Sequence, residues 1–248
     1  MRNYQQEYEN RVAFIRELVR SSGCEGIVFG NSGGKDSALV GILCKAACEN
    51  TVGILMPCAS TRNYGSDMDD GNALAEQYGI ETRTVDLTPV REAAVSAIGQ
   101  ATTINSAGLM NIAPRLRMTA LYTIAASENR LVAGTGNRSE SYMGYFTKWG
   151  DGAYDFNPIA DLLATEIIEF LDYLEAPLSI RTKKPSAGLF EGQTDEQEMG
   201  VTYAAIDCYL TTGEASEHDR AIIERFHARS EHKRRPARVF GDDGFIEQ

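Results

Sequence analysis

Apolar positions along this chain fall into two rhythms, a helical one and short unbroken or alternating runs, and the two take turns. Tyr4, Tyr8, Val12, Ile15, Leu18 and Val19 recur at helical spacing, which predicts an amphipathic helix ending before Gly23. Gly26–Phe29 is a compact apolar run and reads as a first strand. Ala38, Leu39, Ile42, Leu43, Ala46 and Ala47 return to helical spacing. Thr51–Met56 predicts a second buried strand, stopped by Pro57. A polar loop, Cys58–Ser66, leads to a helix near Asp67–Tyr78, and Glu81–Val85 alternates as a third strand. Thr88–Ile98 and Arg115–Glu128 read as helices, and Arg130–Ala133 as a fourth short strand. Further on the pattern is helical: Leu162–Leu174, one long helix over Glu196–Leu210, and Glu217–Phe226.

Strands that alternate with helices imply a parallel sheet covered on both faces, an α/β doubly wound, Rossmann-like fold with a helical C-terminal part. Neither an internal repeat nor a low-complexity linker divides the chain. The expectation is one domain over 1–248: an N-terminal helix (1–22), a nucleotide-binding core (23–150) and the helical part (151–248). In such a sheet, ligands bind at the carboxyl ends of the strands.

Composition narrows this picture without changing it. Of 248 residues, 43% are hydrophobic and 24% charged, ordinary values for a globular protein. No apolar run approaches a membrane span, and the polar start Met1–Gln6 is not a signal peptide, so the cytoplasm is the expected location. The net charge of −11 disfavours nucleic acid as a partner, because such binding calls for a basic face. The five cysteines are odd in number and scattered, which suggests neither a disulfide framework nor a zinc site. Basic density concentrates at Arg229–Arg238.

The candidate chemistry lies in Gly30-Asn31-Ser32-Gly33-Gly34-Lys35-Asp36-Ser37, directly behind the first strand. A strand, a glycine turn and a helix start present free backbone N–H groups and a positive dipole end to phosphate. The ordinary P-loop has four residues between its glycine and Gly-Lys, followed by Ser or Thr, and this run does not. Asp36 inside a phosphate loop makes sense if a metal ion lies between them.

The run Ser-Gly-Gly-x-Asp-Ser resembles the pyrophosphate loop of the ATP pyrophosphatase superfamily, which cleaves ATP to AMP and pyrophosphate. Further segments resemble NAD synthetases within it: Asn111–Met118, Gly134-Thr135-Gly136-Asn137-Arg138-Ser139-Glu140, Gly144–Gly152, Pro185–Leu189, Gln193–Glu196 and His232-Lys233-Arg234. Taken singly, Arg115 and Arg117 read as helix residues paired with surface acids, Glu140 as a solvated carboxylate, and His232 as a surface histidine. Their order from residue 30 to residue 235 ties them together.

The resemblance implies a ligase that forms NAD from deamido-NAD, ATP and ammonia through an acyl-adenylate. It implies Mg²⁺ held by Asp36 and Glu140, and ATP contacts from Gly30 to Ser37 with Thr135 and Ser186. It assigns deamido-NAD to Asn111, Arg115, Tyr145, Lys148, Asp151, Asp155, His232 and Lys233, with Asp36, Glu140 and Asp151 closest to the chemistry. A homodimer, with some of these contacts crossing its interface, is also implied. Only about two dozen residues precede the first strand, too few for a fused glutamine amidohydrolase. The chain departs from the family at Pro114, which fits a first helical turn. It also departs at Ala164, where the family commonly has a lysine that touches the ATP phosphates. Arg181, Lys183 and Lys184 are the candidates to compensate. The alternatives are another AMP-forming ligase of the superfamily, tRNA-modifying or nucleotide-amidating, or a weakly active or non-catalytic nucleotide-binding paralogue.

Overall fold

The computed structural model describes residues 2–59, 64–183 and 194–237. The elements run α1 (Tyr4–Ser22), β1 (Gly26–Gly30), α2 (Lys35–Ala47), β2 (Thr51–Leu55), α3 (Ser66–Tyr78), β3 (Glu81–Thr84) and α4 (Thr88–Gly99). They continue with α5 (Ser106–Met110), α6 (Ile112–Glu128), β4 (Arg130–Ala133), α7 (Arg138–Met143), α8 (Ala164–Tyr173) and α9 (Leu178–Arg181). The chain finishes with α10 (Asp195–Met199), α11 (Tyr203–Thr212), α12 (Glu217–Arg229) and α13 (Glu231–Arg234).

All strand pairings are parallel and the order is β3-β2-β1-β4. Alternation along β1 serves both faces of the sheet. Ile27 and Phe29 pack against α1, α2 and α8, while Val28 joins Val52, Ile54 and Val132 beneath α6. All five of these β1 and β2 side chains, Ile27, Val28, Phe29, Val52 and Ile54, are fully buried. This is the doubly wound architecture that the alternating pattern predicts.

The chain leaves β1 toward β2 on one side, whereas β4 pairs with β1 on the other, Phe29 opposite Ala133. The loops after β1 and β4 therefore diverge and leave a crevice at the carboxyl ends of the strands. The predicted helix over Glu196–Leu210 is two helices. Gly200 adopts φ +77 and ends α10, and the Thr202 side chain accepts from the Ala205 N–H to start α11. The helix predicted from Leu162 begins at Ala164 instead. Pro114 lies in the first turn of α6, where its missing N–H costs no helical bond.

Candidate active site

The glycine loop turns at Gly33, whose φ is +67. A Cβ there would lie 2.1 Å from the Asp67 carbonyl oxygen, so the loop packs directly on the start of α3. Ser37 Oγ and Ser32 Oγ lie 3.0 Å apart and hold the loop onto α2. Asn31 is buried and donates to the Gly71 carbonyl at 2.9 Å, which fixes α3 against the loop. Gly30, Asn31, Ser32, Gly34, Lys35, Asp36, Ser37 and Thr135 all line one cleft of about 1330 Å³. Gly33 faces α3 instead, and Ser186 lies outside the described residues.

Asp36 on α2 and Glu140 on α7 come together because β1 and β4 are neighbours. Asn137 brackets the two. Its Nδ2 donates to Asp36 at 2.9 Å, its backbone N–H donates to Glu140 at 3.0 Å, and its Oδ1 accepts from the Glu140 N–H. The last two bonds form the capping box of α7. Burial and the nearby Asp36 push the Glu140 carboxyl well above its ordinary range. Lys35, itself buried, donates to both Asp36 oxygens and lies 5.7 Å from the centre of the Tyr203 ring. Burial alone would lower the Lys35 pKa, but Asp36 and Glu140 raise it on balance. Asp195 also lines the cleft and accepts from the Tyr203 hydroxyl at 3.1 Å.

These acids fit a magnesium site. They are hard oxygen donors on two different elements, locked by a shared asparagine, and a cation would relieve the repulsion that raises the Glu140 carboxyl. Among the described residues there is no cluster of three or more acidic, histidine or cysteine side chains that completes a protein-only cage.

The opposite part of the cleft is built by the 144–152 loop and the C-terminal helices. Asn111, Tyr145, Lys148, Asp151 and Lys233 line it. Lys233 Nζ donates to the Gly144 and Phe146 carbonyls at 2.8 and 2.7 Å, and burial lowers its pKa. Lys148 donates to the His232 carbonyl and lies over the exposed Trp149 ring. Thr147 donates its N–H to Asp151 at 2.9 Å and its hydroxyl to Asn111 at 2.7 Å.

Arg115, Asp155 and His232 are not part of this lining. Arg115 is exposed, and among the described residues its side chain reaches only the Lys148 carbonyl, at 3.5 Å. Asp155 accepts from the Val132 N–H and the Tyr122 hydroxyl, closing the end of β4 against α6. His232 is exposed and contributes its carbonyl.

Two basic residues named from the sequence line the cleft, Arg117 as a helix residue and Lys183 as a candidate to compensate at Ala164. Arg117 donates to the Met56 carbonyl at 3.2 Å, and burial lowers its pKa. Lys183 bonds the Gly33 carbonyl at 3.3 Å and pairs with Asp67 and Asp70 at 2.7 and 2.5 Å. Of the proposed compensating cations, Arg181 pairs with Asp172 instead, and Lys184 lies outside the described residues. Ala164 is buried among Met143, Met199, Tyr203 and Ile206. Asn137 had a readable signal, the Asn-x-x-Glu spacing of a capping box.

The sequence profile of the NAD synthase family matches residues 7–237. An NH(3)-dependent NAD(+) synthetase of Carboxydothermus hydrogenoformans is 47% identical over 94% of this chain and 96% of its own length. An NMN synthetase structure from Francisella tularensis superposes with a TM-score of 0.92 at 38% identity, over 97% of this chain and 100% of the other. An NH3-dependent NAD synthetase structure from Campylobacter jejuni gives a TM-score of 0.78 at 29% identity, over 97% and 100%.

Proposed function

The chain belongs to the NAD synthase family, and from that membership we propose that it amidates the nicotinate carboxylate of a nucleotide, with deamido-NAD as substrate and NAD as product. The carboxylate oxygen attacks the α-phosphorus of ATP. The bond from that phosphorus to the bridging oxygen breaks, and pyrophosphate leaves. Ammonia then adds to the acyl carbon, loses a proton, and expels AMP. Free ammonia, rather than glutamine, is the nitrogen source.

The observation that carries this reading is the division of a single cleft. The glycine loop with Asp36 and Glu140 is on one side, and the cationic wall of Lys148 and Lys233 is on the other. Ser32, Gly34 and Ser37 bind the departing phosphates through hydroxyls and N–H groups at the start of α2, where the helix dipole adds positive potential. Asn137 keeps Asp36 and Glu140 in register. Asp36 and Glu140 would hold a magnesium ion, which would supply charge neutralisation at the triphosphate. Lys148 and Lys233 hold the nicotinate nucleotide, with Asn111, Tyr145 and Asp151 fixing its orientation.

A nicotinate mononucleotide substrate is the second reading. The Francisella NMN synthetase structure, at a TM-score of 0.92, is what favours it. The chemistry is the same, so incubation with ATP, Mg²⁺ and ammonium, offering each nucleotide in turn, separates the two. NAD as the favoured product supports the main reading, and NMN the second. Formation of neither amide contradicts both. Ammonia-free glutamine as sole nitrogen source should support neither product.

A homodimer accompanies this function. Helix α4 buries none of its side chains, with Val90 and Ile98 nearly half exposed, and the 17-residue α6 buries only Ala113 and Ala125. A second copy laid on these helices would cover an apolar face that water otherwise meets. Sedimentation at micromolar concentration should give twice the chain mass, and a monomer would contradict the proposal. Among the described residues no helix is long and apolar enough to cross a membrane, and we infer that the enzyme works in the cytoplasm.

A further inference from the structure

The cleft carries a charge of opposite sign to the protein as a whole. The chain has a net charge of −11, yet nine lysines and arginines line the cleft against six aspartates and glutamates. Five of the nine are arginines, and three of those are engaged: Arg117 with the Met56 carbonyl, Arg234 with Glu231 and backbone carbonyls, and Arg235 with Glu231. Arg225 and Arg229 differ. Both are exposed to the cleft, and among the described residues neither side chain makes a hydrogen bond or an ion pair. The contact made by Arg225 is with the ring of its neighbour Phe226, 5.8 Å from the centroid.

Their spacing aims them. Arg225 and Arg229 are four residues apart on α12, hence on one face. Lys233 follows four residues later, and the helical path continues through Ser230, whose N–H bonds the Phe226 carbonyl at 3.1 Å. Lys233 is anchored at the Gly144 and Phe146 carbonyls, so the stripe borders the loop that also carries Lys148. It is separate from the glycine loop, which Lys183 already supplies with a cation. Two guanidinium groups with open donors, side by side, suit phosphate oxygens better than a carboxylate or a neutral ribose.

We propose that Arg225 and Arg229 form a phosphate subsite for the nicotinate nucleotide, gripping the phosphate on the ribose that bears the nicotinate ring. This rests on the reading of the substrate as a nicotinate nucleotide. It deepens that reading by naming the phosphate bonded and the residues that bond it. Both deamido-NAD and nicotinate mononucleotide carry this phosphate, so both lose affinity when the stripe is neutralised. ATP does not.

The test is equilibrium titration of the full chain, with Mg²⁺ and a non-hydrolysable ATP analogue, by nicotinate mononucleotide and by deamido-NAD. Parent, Arg225→Ala, Arg229→Ala and the double variant are compared. Each single change should weaken nucleotide binding about tenfold, and the pair on the order of a hundredfold, as for loss of charge-assisted bonds. The dependence of affinity on salt should flatten in the double variant. Arg→Lys at each position should keep the salt dependence and recover part of the affinity. The ATP analogue should bind as in the parent, and thermal unfolding should be unchanged, since both side chains are exposed. Parent-like nucleotide affinity in the double variant overturns the proposal, as does a loss confined to the ATP analogue. A parent that binds neither nucleotide overturns both the subsite and the functional reading. A parent that binds but makes no amide contradicts the functional reading alone.

Discussion

The ammonium of Lys35 lies 2.7 Å from Oδ2 and 2.9 Å from Oδ1 of Asp36, so neighbours in sequence form an ion pair inside the cleft. Adjacent residues on a helix do not normally face each other. Here both occupy the first turn of α2, and burial confines the lysine beside Tyr203, Glu140 and Asp195. The site thus carries its own cation next to the two acids assigned to magnesium.

That arrangement predicts a trade between the lysine and the metal. Lys35→Met keeps the apolar stem and leaves Asp36 facing Glu140 without the ammonium. Mg²⁺ should then raise the unfolding temperature more in the variant than in the parent, because the ion relieves a larger repulsion. Equal Mg²⁺-dependent shifts would contradict this role. Asp36→Ala and Glu140→Ala should each lower turnover about a hundredfold or more, as when metal-based charge stabilisation is lost. Near-normal turnover in either would remove that residue from the metal assignment.

Lys183 carries the second prediction. Its ammonium already reaches the Gly33 carbonyl, whereas Arg181 is tied to Asp172 and the Ala176 carbonyl. Lys183→Met should raise the ATP KM about tenfold, and Arg181→Met should leave it unchanged. The reverse ranking would refute the assignment of Lys183 to the phosphates. Ala164→Lys, which restores the residue the family commonly has, should cost stability. Ala164 is 2% exposed, and overpacking alone costs about 1–3 kcal/mol.

A third expectation concerns pH. Burial first, and then Asp36, raise the Glu140 carboxyl, so the folded protein holds that proton more tightly than the unfolded chain. A native state that binds more protons loses stability as pH rises. The loss begins above the ordinary glutamate value of about 4.3 and continues through the raised folded value. Glu140→Gln keeps the acceptor for the Asn137 N–H and removes the titration. Metal-free Glu140→Gln should therefore show a flatter decline in melting temperature from acid to neutral pH than the parent. A decline as steep as the parent's would show that Glu140 does not carry this effect.

The parts of the site legible in sequence are those encoded locally. The glycine loop declares itself through eight consecutive small or polar residues, Gly30 to Ser37, behind an apolar strand, and Asn137 with Glu140 through capping spacing. Lys183 and Gly33 are 150 residues apart, and only the packing of α9 behind α2 joins them. Arg115, Asp155 and His232 show the converse. Arg115 and His232 lie in motifs that border the cleft and Asp155 just past one, yet Asp155 is turned to hold the Val132 N–H at the end of β4. A motif fixes neighbourhood, but side-chain direction depends on which backbone group needs a partner. The long helix expected over Glu196–Leu210 fails for a related reason: Gly200 in the left-handed region ends one helix within an otherwise helical pattern.

The proposed reaction turns on attack of the nicotinate carboxylate at the α-phosphorus of ATP. Substrate labelled with ¹⁸O in that carboxylate, incubated with ATP, Mg²⁺ and ammonium, tests it through mass spectrometry of the products. One labelled oxygen should appear in the phosphate of AMP and none in pyrophosphate. Label in orthophosphate with formation of ADP, or unlabelled AMP alongside the amide, would contradict it.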